Sequence, residues 1–249
     1  MADKWEKVIP KRVFGMLAPL AKIEYEAMVF YRMAPPDVMS IYIPIGLQEF
    51  TVKDVNRVFE PLDGLIDQLL ERDVDLILQG GVPLPLVTGV KAHDKLMDYI
   101  AKRSGVAVSS SVIAVTAAAK HLGMKKIVTC NKWSAEMNKV LVEFFARDGV
   151  TVIGNASEPM APVNFLKMDT RAGLELAYEL GRRAILEHPN CDGLYCGGGA
   201  WLIQPAMEAL EKEFGIPCIS NQDSQLWHEL TLTKYWKPRP GFSRLLASA

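Results

Sequence analysis

Charge of neither sign is in surplus: 28 Lys and Arg stand against 29 Asp and Glu in 249 residues, with no polybasic or polyacidic block. Nucleic acid and membrane surfaces are therefore poor partners for this chain. Long apolar runs are missing too. The most apolar stretch, residues 106–119, is broken by Ser109, Ser110, Ser111 and Thr116. A membrane span needs roughly 18 or more uninterrupted apolar residues. Cysteine is scarce: Cys130, Cys191, Cys196 and Cys218 show neither zinc-ligand spacing nor a CxxC pair. His93, His121, His188 and His228 are scattered, with no HExxH pattern, so no metal site is indicated. The first residues carry charge but no apolar signal region. The chain reads as cytoplasmic, without structural disulfides.

What is present is the balance of a folded protein with a sizeable core, 49% apolar and 23% charged residues. Within it lies a half-hidden repeat. Asp75-Leu76-Ile77-Leu78-Gln79-Gly80-Gly81 overlays Asp192-Gly193-Leu194-Tyr195-Cys196-Gly197-Gly198 without a gap. Each is a short apolar run that ends in paired glycines, as a buried strand and its turn would. Ligands bind at the carboxyl ends of strands in open α/β sheets. A pocket between two such halves is the first functional expectation.

Strand-like runs alternate with helical patterns through most of the chain. Strands are expected over 12–18, 38–43, 75–78, 106–108, 126–129, 151–153, 193–196 and 217–219. Helices are expected over 23–33, 52–72, 94–103, 112–122, 135–148, 171–187, 203–214 and 222–230, the last capped by Ser220 or Asn221. The Pro- and Gly-containing tail at 237–241 reads as a surface arm. The fold class is α/β: two pseudo-symmetric, doubly wound parallel-sheet halves with the site between them. Residues 1–120, joined by 222–249, make the N-terminal half, and 121–221 the C-terminal half.

Several segments resemble a known family. These are Phe14-Gly15-Met16-Leu17-Ala18-Pro19, the region 105–150 with its Ser109-Ser110-Ser111 strand end and Glu136-Met137-Asn138 helix start, and 208–229 with Ser220-Asn221-Gln222 and Leu226-Trp227-His228. Together they are similar to the Asp/Glu racemase superfamily, in its maleate cis-trans isomerase and arylmalonate decarboxylase branch. The resemblance implies two racemase-like α/β halves around an active site. It implies that cysteines move a proton at, or attack, a carbon beside a carboxylate, which hydroxyls and backbone N–H groups hold. It implies no cofactor.

The chain departs from that pattern in places. The first-half cysteine position falls on Gly81 or Gly80, followed by Val82 rather than a hydroxyl residue. Cys196-Gly197-Gly198 resembles the decarboxylase motif, yet an ungapped alignment puts the family cysteine on Gly198. Cys196 is thus either the catalytic thiol, one rung deeper on the same strand face, or a buried structural cysteine. Lys22, after Pro19, is either a partner for a substrate carboxylate or a solvated lysine. Asn131 or Trp133 stands where the family has a tyrosine, and Trp133 is either a pocket wall or a core aromatic. Ser109, Ser110 and Ser111 suit an anion at a helix N-terminus and suit N-capping equally. Lys91 and His93 read as loop residues that cover the pocket or face water.

The leading expectation is cofactor-independent decarboxylation of a malonate-type acid through an enediolate. Cys196 protonates the carbanion, and Gly80, Gly81, Gly197, Gly198 and the serine triplet hold the carboxylate. Isomerisation or racemisation of a small acid is second. A small-acid binding protein, or an enzyme without the cysteine chemistry, is third. The expected partner is a small carboxylic acid, and the apolar helices permit a homo-oligomer.

Overall fold

Short apolar strands joined through helices suit parallel pairing, and a parallel sheet needs cover on both faces. The computed structural model, which describes residues 5, 6, 9–23, 25–165 and 167–249, has this form. The first four residues and position 24 of the first expected helix lie outside the described residues. The chain runs β1 (Arg12–Ala18), α1 (Tyr25–Met33), β2 (Val38–Pro44), α2 (Val52–Phe59), α3 (Leu62–Leu70), β3 (Leu76–Gln79), α4 (Pro83–Thr88), α5 (Val90–Ser104), β4 (Ala107–Ser110) and α6 (Ser111–His121). It continues with β5 (Lys126–Asn131), α7 (Ala135–Arg147), β6 (Thr151–Ser157), α8 (Pro162–Phe165), α9 (Thr170–Glu187), β7 (Gly193–Cys196), α10 (Gln204–Phe214), β8 (Cys218–Ser220), α11 (Asn221–Leu232) and α12 (Arg244–Ala247). Two four-stranded parallel sheets result, ordered β2-β1-β3-β4 and β6-β5-β7-β8.

The repeat occupies equivalent places, β3 in one sheet and β7 in the other. The equivalence extends to individual hydrogen bonds. Asp75 accepts from the Val13 N–H at 2.8 Å, and Asp192 accepts from the Lys126 N–H at 2.9 Å. Gly80 N–H donates to Leu17 O at 2.9 Å, and Gly197 N–H to Cys130 O at 2.8 Å. Each aspartate therefore ties its own strand to the start of the neighbouring one, and each first glycine ties it to that strand's end.

Some expected elements differ. The helix expected over 52–72 is two helices, because Pro61 lacks an N–H and its ring crowds the preceding turn. Thr51 caps the first of the two through the Asp54 N–H at 3.2 Å. Lys91 and His93 are not in a loop: α5 starts at Val90, and His93 is buried. The strand β6 is longer than expected, and its pairing with β5 carries an irregularity at Ile127/Val128. The tail is more than a surface arm, since Leu245 and Leu246 of α12 are fully buried and Arg239 donates to Ala34 O.

The helix α11 leaves the second sheet and packs on α6 and α1. Ser220 and Asp223 form a reciprocal capping box at its start. Every residue from 221 to 230 is buried, polar ones included. Leu226 and Leu230 join Phe14, Leu76, Val115 and Phe145 in one core spanning both sheets. No helix among the described residues is long and apolar enough to cross a membrane. Leu226→Ala should lower stability by about 2–5 kcal/mol, the range for deleting a buried leucine side chain, measured as a lower urea midpoint at unchanged slope.

Candidate active site

The carboxyl ends of β1, β3, β5 and β7 and the start of α11 enclose a narrow cavity. Pro19 and Leu20 follow β1, Gly81 and Pro83 follow β3, and Lys132 and Trp133 follow β5. Gly197 to Trp201 follow β7, while Asn221 and Gln225 project from α11. Phe50 of the first half meets Phe165 of the second, their ring centroids 5.9 Å apart. Among the described residues, Lys132 is the one cation lining this largely apolar cavity, and Glu26 of α1 is its carboxylate. An open groove on the far side of Phe50 and Lys132 shares both residues with the cavity.

Lys132 is 1% exposed, and its Nζ has no hydrogen-bond partner among the described residues. The Nζ lies 3.8 Å from the Trp201 ring centroid and 4.2 Å from that of Phe165. Burial drives its pKa down to about 7, against an opposing pull from Cys196. Its own backbone is pinned, with Lys132 O accepting from the Met160 N–H at 3.0 Å.

The residues expected at the site are distributed unevenly. Pro19, Gly81, Trp133, Gly197 and Gly198 line the cavity. Lys22 is exposed, and Val82 is a core residue at 0% exposure; neither lines the cavity. Cys196 is fully buried in the core under α9 and α10, with Cys130, Cys218 and Trp201, and its side chain does not line the cavity. A hydrogen bond with Cys196, reinforced by burial, holds the Cys130 thiol well above its usual pKa.

The expected carboxylate donors are already engaged. Gly81 N–H donates to Ser111 Oγ at 2.8 Å, and Gly198 N–H to Asn221 Oδ1 at 3.3 Å. The Gly80 and Gly197 N–H groups are spent on the neighbouring strands. Ser109 shares a hydrogen bond with His228 Nδ1 and Ser110 one with His93 Nε2, both at 2.8 Å. Ser110 also caps α6, accepting from the Ile113 N–H at 3.3 Å. Burial lowers both histidine pKa values to about 4, so both rings are neutral near pH 7. Ser111 accepts from Gln225 Nε2 as well. Asn131 is paired with Asn138 and receives the Trp133 N–H at 3.0 Å.

Lys132, Glu26, Phe165, Trp201, Asn221 and Gln225 were not among the expected site residues. Lys132 had a signal, a charged residue directly at the end of a buried strand, between Asn131 and Trp133. The glycines explain why the first half carries no side chain at its turn. A Cβ on Gly81, at φ +85°, would sit 2.7 Å from Pro19 and from Leu84, and one on Gly80 would sit 2.8 Å from Leu17 O.

Two α/β halves around a cavity at facing strand ends define a class, the Asp/Glu racemase-like enzymes. The chain belongs to the arylmalonate decarboxylase family, whose model matches residues 15–246. Arylmalonate decarboxylase of Bordetella bronchiseptica is 23% identical over 212 residues, covering 84% of this chain and 87% of that protein. Among solved structures, a variant of arylmalonate decarboxylase with one glycine changed to cysteine and one cysteine to serine, in a liganded form, has a TM-score of 0.83. It is 21% identical and covers 94% of this chain and 98% of its own. A variant of the maleate isomerase of Pseudomonas putida S16 with one cysteine changed to alanine, with maleate, has a TM-score of 0.82 at 15% identity, covering 96% of this chain and 98% of its own.

Gly81→Ala should cost about 1–3 kcal/mol of stability, through its backbone angle and its crowding against Pro19, seen as a lower denaturation midpoint. Lys132→Met should change how stability depends on pH. Between about pH 7 and 10.5 the unfolded lysine keeps a proton that the folded one has shed. Wild-type stability therefore rises with pH there, relative to the variant, by at most about 1.4 kcal/mol per unit. A constant difference across that window, in denaturant titrations, would contradict a depressed Lys132.

Proposed function

We propose that the protein decarboxylates a small malonate-type acid carrying an apolar substituent, without a cofactor, through an enediolate. The observation that carries this reading is a largely apolar cavity with one buried amine, Lys132, in a chain of the arylmalonate decarboxylase family. The carboxylate that stays pairs with Lys132, which also opposes the charge that builds up on the enediolate. The substituent and the departing carboxylate lie against Leu47, Phe50 and Trp133, where little water competes. Loss of carbon dioxide leaves its electron pair on the α-carbon. Cys196, adjacent to Gly197 and within electrostatic range of Lys132, is the proposed thiol that returns a proton; because its side chain lies behind the cavity wall rather than in it, the thiol has to turn toward Lys132 for that step. The absence of a cysteine from the first-half turn at Gln79, Gly80 and Gly81 favours decarboxylation over two-base racemisation.

Phenylmalonate is the probe, with carbon dioxide release as the readout. Cys196→Ala should lower turnover by about 10²-fold or more, the scale of a lost proton donor, while phenylmalonate affinity by calorimetry is kept. Turnover unchanged in Cys196→Ala removes the thiol from the mechanism, and no turnover by the wild type removes the reading itself.

A further inference from the structure

We propose that the Lys132 amine is a nucleophile that condenses with the ketone of a small 3-oxo acid and decarboxylates it through an iminium. This activity shares the cavity with the reading above, but neither its substrate class nor its thiol.

Four observations carry it. The amine is buried with no hydrogen-bond partner among the described residues, where a methionine or leucine would fill the same space without a charge to desolvate. The Lys132 side chain lines both the cavity and the open groove, so a shift of the rings that cover it opens the amine to a carbonyl compound. The faces of Trp201 and Phe165 flank it at 3.8 and 4.2 Å. Aromatic faces stabilise a desolvated cation, and the iminium is such a cation. Finally, Glu26 lines the same cavity and supplies a carboxyl for the proton movements of condensation. The lowered pKa of Lys132 leaves a useful fraction of this amine neutral near pH 7, the form that attacks carbonyls.

The step balances without an added reagent. Nζ forms a bond to the ketone carbon, and water leaves to give the iminium. The bond between the α-carbon and the carboxyl carbon breaks, carbon dioxide departs, and its electron pair moves into the enamine as the iminium charge is neutralised. The α-carbon takes a proton from water. Hydrolysis of the iminium then frees the ketone and restores the lysine, so a 3-oxo acid becomes a ketone and carbon dioxide.

The test is reductive trapping in the wild-type protein, so it does not depend on a variant folding. The protein is incubated with acetoacetate and cyanoborohydride, digested, and mapped by mass spectrometry. The expected product is an isopropyl group on Lys132, formed several-fold faster than with an equal concentration of acetone. Labelling confined to exposed lysines such as Lys22, or no labelling, overturns the nucleophile. An adduct that keeps the carboxyl, or a rate no greater than with acetone, overturns the decarboxylation. Phenylmalonate has no ketone and cannot label, so failure here and failure of the malonate reading are separate results.

Discussion

Everything at the interface of the two halves depends on one hydrogen bond made twice. In each half the second glycine of the turn gives its N–H to the first residue of the helix that follows the adjacent strand. Gly81 gives to Ser111, and Gly198 to Asn221. That bond fixes where α6 and α11 begin, and these two helices pack on each other between the sheets. It also decides what the turns can offer a ligand. An N–H that has been given to a helix cannot be given to a carboxylate as well, so the cavity's polarity comes from side chains.

Lys132 carries most of that polarity, at an energetic disadvantage that the surroundings reduce only in part. An ammonium in a dry cavity is unstable, and shedding its proton is the cheapest remedy. Two aromatic faces soften the cost of the charged form, and Cys196 pulls the same way. Near pH 7 the lysine therefore has a much larger neutral fraction than burial-free lysines have. A fully solvated lysine would be almost wholly charged at the same pH.

Much of the fold was legible because its determinants are local. The strand–glycine repeat, the alternation of strands with helices, and the Ser220 cap each lie within a few consecutive residues. Pro61 is local too, but a continuous apolar stripe through residues 52–72 outweighed it in the reading of that helix. The site was less legible because its chemistry is set by residues far away in the chain. The hydroxyls of Ser109 and Ser111 are taken by His228 and Gln225 on a helix that begins 110 residues after Ser111. Lys132 looks like an ordinary lysine until Phe165 and Trp201 close over it. Nothing local marks the polar residues of α11 as interior, and only the packing of both halves around the helix makes them so.

That helix has a consequence for the order in which the molecule can be made. α11 is nearly the last element synthesised, yet it covers α6 and α1 of the half that emerges first. On the ribosome, the first sheet therefore waits with an apolar face open while the second is still being translated. Domains tend to fold as units in order of emergence, but this one lacks its own closing piece until the end. The apolar face that α11 covers is open to aggregation until that helix has been made and has docked.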